Sequence, residues 1–200
     1  MITVVGIGPG NLALLTQQAR QAIACADTLV GGKRHLELFE AFEGETHLLT
    51  ADIAALVEWL EGVQHKDIVL LASGDPMLFG IGKRLCSHFG RENIDVIPGI
   101  SAMQYLCAKA GVDMNDIWLT SSHGREVDYE SLLRHNKVAM VTDRNNGPEQ
   151  IARHLVAWGA GHRIMIIGEN LSLENERIRR LPASVVTGDF DMNVVVILNE

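Results

Sequence analysis

Ile2-Thr3-Val4-Val5-Gly6-Ile7-Gly8-Pro9-Gly10 opens the chain as an apolar run that ends in glycines. The stretch 12–25 that follows is rich in Ala, Leu, Gln and Arg, residues that favour a helix. Strand, glycine turn and helix make the first half of a βαβ unit. The same order returns twice. Ile68-Val69-Leu70-Leu71-Ala72 leads into Ser73-Gly74-Asp75-Pro76-Met77-Leu78-Phe79-Gly80 and a helix over 81–89. The strand 94–97 leads into Pro98-Gly99-Ile100-Ser101-Ala102 and a helix over 102–110. Near-continuous apolar strands belong to a parallel sheet covered on both faces. Ligands of such sheets bind beyond the carboxyl ends of the strands, where glycine lets backbone approach closely. Three glycine loops at one sheet edge point to one site.

Between the first two of these units, a strand at 27–30, a helix over 34–42 and a strand at 46–49 are expected. The segment 52–63 carries Ile53, Leu56, Val57 and Leu60 at i, i+3, i+4 and i+7, the stripe of a helix packed on a sheet, with Asp52 as its N-cap. Five strands are complete near 111–115, which divides the chain into domains 1–112 and 113–200. Beyond the boundary, strands are expected at 117–120, 137–142, 163–167, 177–181 and 193–198, with helices over 129–135 and 149–158. Gly159 and Gly161 fit the stop of the last helix. With no helix between the last two strands, the second sheet reads as mixed. The fold class is α/β in two domains.

Composition removes several classes of function. At 47% hydrophobic and 21% charged residues, the chain is expected to be globular and not disordered. No apolar stretch approaches the roughly 20 residues of a membrane helix, so no membrane partner is expected. The start lacks the basic and small-residue pattern of a secretory signal, and a cytoplasmic location is expected. A formal charge of −8 argues against nucleic acid, whose phosphates call for clustered Lys and Arg, and in favour of a small-molecule substrate. Cys25, Cys86 and Cys107 are far apart in helix-like segments, and no CxxC or HExxH occurs. They read as small hydrophobes, with no disulfide framework and no protein-bound metal.

The first glycine motif does not read as a nicotinamide dinucleotide fingerprint. Asn11 stands where the third glycine belongs, Pro9 removes a backbone donor, and the second strand ends in Leu29-Val30-Gly31-Gly32 without the acid that binds a ribose. Asp75 has two compatible readings. At the end of a buried strand it can accept hydrogen bonds from a ligand, and it can equally form an Asx turn or cap the helix that follows.

The set GIGPG, SGDPMLFGIG and IPGISA resembles the signature of the tetrapyrrole methylase family, whose members use S-adenosylmethionine, and the resemblance spans essentially the whole chain. Within the family, Ser121-Ser122-His123-Gly124-Arg125, Val141-Thr142-Asp143 and Gly168-Glu169-Asn170 resemble the branch that methylates C5 of a corrin precursor in cobalamin biosynthesis. The resemblance implies two α/β domains with the donor in a cleft between them, a homodimer, and a separate decarboxylating C15-methyltransferase as a partner. It further implies that Pro9 lines the cleft, that Gly74, Asp75, Met77 and Leu78 contact the donor, and that Ser101 and Ala102 do so from the next loop. Thr142 and Asn170 match donor positions of the second domain.

For the acceptor, His123, Arg125 and Arg144 are the candidates, with the Lys33-Arg34-His35 cluster as a further source of cations. A corrin precursor carries several carboxylates, and an arginine fork binds one bidentately. Histidine also titrates near neutrality as a class, which makes His123 the candidate proton acceptor. Trp59, Trp118 and Trp158 are assigned no chemistry. Two alternatives stay open: a methylase of the same fold acting on another ring carbon, a diphthamide precursor or ribosomal RNA, and a module that binds an adenosyl ligand without turnover.

Overall fold

Alternate residues of a strand face opposite sides of its sheet, and in the first half of the chain both sides are apolar. In the computed structural model, which describes residues 1–200, β1 (Ile2–Gly6), β2 (Thr28–Gly31) and β4 (Ile68–Ala72) are buried along their whole length. With β3 (Glu45–Leu48) and β5 (Ile94–Ile97) they form a parallel sheet of order β3-β2-β4-β1-β5. Val5, Leu29, Val69, Leu71 and Ile97 pack against Ala19 and Ile23 of α1 (Gln17–Ala24) and Leu36 of α2 (Lys33–Glu37). On the other face Val4, Val30, Ile68 and Leu70 pack against Leu56, Val57 and Leu60 of α3 (Ile53–Gly62) and Leu85 of α4 (Gly82–Phe89). The chain leaves β1 toward one face and the neighbouring β4 toward the other. That divergence is the switch point at which open α/β sheets hold ligands.

Local side chains set the helix starts. Asp52 Oδ1 accepts from the Ala55 amide at 3.0 Å, the expected N-cap of α3. The helix expected over 12–25 is broken in two. Asn11 Oδ1 accepts from the Ala13 amide at 2.8 Å and opens a single 3₁₀ turn, Leu12–Leu14, and Thr16 Oγ1 then caps α1 by accepting from Ala19 at 3.1 Å. Two polar side chains offer the backbone an alternative to one continuous helix. The helix expected over 34–42 ends at Glu37.

The second half holds β6 (Trp118–Ser121), β7 (Lys137–Val141), β8 (Ile164–Glu169), β9 (Arg177–Pro182) and β10 (Asn193–Leu198), in the order β6-β7-β10-β8-β9. Only β6 and β7 are parallel; β10 runs antiparallel to β7 and β8, and β9 to β8. The sheet is mixed, as expected. One face packs Val138, Met140, Met165, Ile167, Val195 and Ile197 against Leu132 of α6 (Tyr129–Leu133) and Ile151 and Leu155 of α7 (Pro148–Ala157). At the end of α6, the buried Arg163 donates from Nη1 and Nη2 to the carbonyls of His135 and Leu133 at 2.8 and 2.7 Å. Its guanidinium thereby satisfies carbonyls that a helix end leaves open.

α5 (Ala102–Ala110) covers the other face, packing on β10 and β7 and burying Met103, Leu106 and Cys107. A β-carbon on Gly168 would lie 2.8 Å from Leu106 Cδ1, so glycine sets how closely the helix approaches. Because α5 packs on the second sheet, the chain divides into the units Met1–Ser101 and Ala102–Glu200, earlier than the expected 112/113. Of the cysteines, Cys107 is a buried hydrophobe and the half-buried Cys86 packs against the core of the first unit. Cys25 ends α1 exposed, because its position falls outside the apolar stripe. No helix is long and apolar enough to cross a membrane.

Candidate functional site

The three glycine loops of the first sheet lock together through backbone. Ile7 N donates to Ala72 O at 2.9 Å. Gly8 N then donates to Gly74 O at 3.2 Å and Gly74 N to Gly8 O at 2.8 Å, an antiparallel bridge that follows the parallel β1–β4 pair. A β-carbon on Gly99 would stand 2.2 Å from Gly74 O, and one on Gly6 2.5 Å from Gly99 N. Glycine is required at both positions by the approach of backbone to backbone.

Asp75 fastens this arrangement. Its Oδ1 accepts from the Met77 amide at 2.8 Å and its Oδ2 from the Gly99 amide at 3.1 Å. The Asx turn is therefore present, and the same carboxylate ties the loop after β4 to the loop after β5. Pro9, Gly74 and Ser101 are buried, while Asp75, Leu78 and Ala102 are half-buried. Met77 and Phe79 stand 53% and 45% exposed, so the loop presents apolar side chains outward, Phe79 from a backbone φ of 56°. The Lys33-Arg34-His35 cluster starts α2. Lys33 faces Glu37 at 3.9 Å, and Arg34 Nη2 lies 3.4 Å from His35 Nε2. Burial, then the Arg34 charge, hold the His35 imidazole below its ordinary 6.5, against a backbone hydrogen bond at Leu71.

In the second unit, Asp143 is the hub of two loops. Its Oδ1 accepts from the amides of Asn145 and Asn146 at 2.9 and 2.7 Å, and its Oδ2 from the Gly124 amide at 2.7 Å. The Gly124 and Asn146 amides, in that order, hold its carboxyl below the usual carboxylate range. Ser122 Oγ donates to Asn146 O at 2.8 Å and Asn146 Nδ2 donates to Ser122 O at 3.2 Å. This scaffold presents His123, whose Nδ1 lies 3.2 Å from Thr142 O. A carbonyl only accepts, so Nδ1 is the donor of this pair, and in the neutral ring Nε2 is the acceptor. Arg125 folds back, Nε donating to Ser121 O at 2.8 Å.

His123, Thr142 and Arg144 line one cavity of about 820 Å³ within this unit, together with Asp143 and residues 188–193. Arg144 is exposed there and makes no hydrogen bond or ion pair. Thr142 and Asn170, expected as donor contacts, fasten the 188–193 wall. Thr142 Oγ1 lies 2.7 Å from Asn193 O and 2.8 Å from Asn193 Oδ1. Asn170 donates from Nδ2 to Asp191 Oδ2 at 2.9 Å and from its amide to Met192 O at 2.9 Å. Arg125 is not among the cavity's lining residues. Sequence reasoning missed the wall itself, although the turn Gly188-Asp189-Phe190-Asp191 before an apolar strand was a visible signal. No group of three or more His, Cys, Asp or Glu residues is arranged to hold a metal ion.

The comparisons with known proteins agree with this architecture. Residues 1–186 match the tetrapyrrole (corrin/porphyrin) methylases. The cobalt-precorrin-7 C(5)-methyltransferase of Salmonella typhimurium is 61% identical over 200 residues, covering the whole of both chains. A precorrin-6Y C(5,15)-methyltransferase [decarboxylating] of a Sinorhizobium species is 32% identical over 180 residues, which are 88% of this chain and 44% of that protein. Among solved structures, the cobalamin biosynthesis precorrin-6Y methylase of Archaeoglobus fulgidus superposes with a TM-score of 0.77 at 25% identity, covering 100% of this chain and 98% of that one. Glycine loops at a sheet switch point, two α/β units and a match that runs through both place the chain in one family: it belongs to the tetrapyrrole methylases.

Proposed function

We propose that the protein is an S-adenosylmethionine-dependent methyltransferase that methylates C5 of the corrin precursor cobalt-precorrin-7 in cobalamin biosynthesis. The observation that carries this reading is the 61% identity over 200 residues to the Salmonella cobalt-precorrin-7 C(5)-methyltransferase, end to end in both chains. When bound, S-adenosylmethionine supplies an electrophilic methyl group on a sulfonium whose charge is discharged in the transfer. The loop residues fit such a donor. Their side chains at the sheet edge are apolar or small, and the Asp75 carboxylate is spent on Met77 and Gly99, which leaves a preformed surface of backbone, Met77, Leu78 and Ser101.

The chain's own task is geometric: the attacking carbon must sit about 3–3.5 Å from the methyl group and in line with its leaving atom, with water excluded. Pro9, Gly74, Met77, Leu78, Ser101 and Ala102 are the proposed donor contacts, with Asp75 fixing the loops, while Thr142 and Asn170 hold the 188–193 wall of the second unit. The cavity of the second unit receives the macrocycle. There Arg144 meets a substrate carboxylate as a charge-assisted pair, Arg125 supplies a further cation, and His123 Nε2 takes the proton that the methylated macrocycle releases. Cobalt belongs to the substrate in this reading and calls for no protein ligand.

The same reading makes the protein a cytoplasmic homodimer. The Sinorhizobium relative is more than twice the length matched here, and its name joins C5 and C15 methylation with decarboxylation. A separate decarboxylating C15-methyltransferase is accordingly the proposed partner. The experiment is to incubate the purified protein with labelled S-adenosylmethionine and late corrin precursors, with and without cobalt, and to locate the new methyl by mass spectrometry and carbon NMR. One methyl at C5 is expected. Methylation elsewhere redirects the acceptor, and tight binding of S-adenosylhomocysteine without any transfer overturns the substrate.

A further inference from the structure

Glu169 ends β8 with its side chain 1% exposed. Removing a carboxylate from water is costly unless close partners compensate, and an apolar pair of like volume often serves stability better. Two partners are present. Glu169 Oε2 accepts from Arg179 Nη2 at 2.7 Å, and Oε1 accepts from the Asp191 amide at 3.2 Å. Arg179, held on β9 by this bond, sets its guanidinium carbon 4.4 Å from the centroid of the Phe190 ring. Phe190 and Asp191 both belong to the wall of the 820 Å³ cavity. The buried charge thus grips that wall twice, once through backbone and once through a ring.

We infer that Glu169 and Arg179 are positioning residues that hold Phe190 as an aromatic wall of the second unit's cavity, where the ring packs against the conjugated edge of the macrocycle. The macrocycle part of this inference rests on the proposed function. Arg179 lies over the ring and the core of the second unit packs against it, so the ligand meets the part of the ring that lines the cavity. An arginine is suited to the task because its planar guanidinium can stack on the ring while Nη2 bonds Glu169; a lysine ammonium supplies charge without that plane.

The test compares Arg179→Lys, Glu169→Gln, Phe190→Leu and the double variant Arg179→Lys/Phe190→Leu by steady-state kinetics with the macrocycle and by thermal unfolding. KM for the macrocycle is expected to rise about tenfold in Arg179→Lys and Phe190→Leu, with a smaller change in kcat, and the double variant is expected to be no worse than Phe190→Leu. Additive effects, or a lowered melting temperature with KM unchanged, overturn the proposal. Phe190→Leu leaves the buried pair intact, so a normal KM for it alone is also decisive against. A second readout needs no substrate. With the five phenylalanines replaced by 4-fluorophenylalanine, the Phe190 fluorine signal, assigned from Phe190→Leu, is expected to shift in Arg179→Lys and Glu169→Gln. A shifted signal without macrocycle turnover would fault the substrate and keep the positioning role, and an unmoved signal overturns that role.

Discussion

The Asp75 carboxylate bonds the Gly99 amide across two loops, Oδ2 to N at 3.1 Å, while its other oxygen holds Met77 of its own loop at 2.8 Å. Asparagine keeps one acceptor for Met77 but turns an amide group toward the Gly99 donor, whereas alanine removes both bonds. A hydrogen bond to a charged group contributes about 1.5–3 kcal/mol, so its loss costs roughly tenfold or more in binding wherever loop geometry sets affinity. Asp75→Asn is expected to bind S-adenosylhomocysteine about tenfold more weakly than the parent by calorimetry, and Asp75→Ala more weakly still. Parent-like affinity in both variants would remove Asp75 from the construction of the site.

Glycines of the chain differ sharply in what they tolerate. Gly99→Ala would bring a β-carbon to 2.2 Å from Gly74 O and 2.7 Å from Gly6. Backbone on all sides leaves nothing to rotate away, and a loss of about 3 kcal/mol or more is expected, at the upper end for overpacking. Gly124 has open space around its missing β-carbon but a φ of 65°, so Gly124→Ala is expected to lose only about 1 kcal/mol. Urea unfolding of the two variants measures the difference. Equal losses would mean that the backbone around Gly99 shifts to admit the methyl group and that crowding does not set the requirement there.

His35 gives the first unit a pH dependence of fixed sign. Burial, followed by the Arg34 charge, holds its imidazole below the ordinary 6.5, so between the depressed folded value and 6.5 the unfolded chain binds the proton more readily. Stability therefore rises with pH across that window, is fully present above 6.5, and is lost as pH falls toward the folded value. His35→Gln is expected to flatten this part of the melting-temperature profile between pH 5 and pH 7.5, on the order of the buffer range that brackets the imidazole. A variant profile parallel to the parent's would assign the acid loss to other groups.

Periodicity carried most of the fold because burial on a sheet face is a local property. Val4 and Val5 must face opposite ways, and both find apolar partners. The domain boundary was less legible. α5 follows β5 as a crossover helix would, and its packing on β7 and β10, farther along the chain, assigns it to the second unit. Likewise His123 and Thr142 could be singled out from their motifs, but residue 190 gains its place from Arg179 and residue 191 from Glu169 and Asn170. Contacts set by the antiparallel pairing of β8, β9 and β10 leave no spacing in the sequence.

His123 and Arg144 share one cavity and differ in what holds them, which separates their expected phenotypes. His123 is fixed through Nδ1 on the Thr142 carbonyl, with Nε2 left to accept a proton. Arg144 is held by no bond of its own. If Nε2 takes the proton during turnover, His123→Ala loses about 10²–10⁴-fold in kcat, the usual range for general base catalysis. His123→Asn can still donate to Thr142, and it should lose as much. Arg144→Gln removes a charge-assisted contact to a carboxylate, so its KM for the macrocycle should rise about tenfold or more while kcat is largely kept. Neither change should alter affinity for S-adenosylhomocysteine, measured in the same samples. An unchanged kcat for His123→Ala at saturating macrocycle would end its role as base, and a rise in KM alone would make it, like Arg144, a residue that binds.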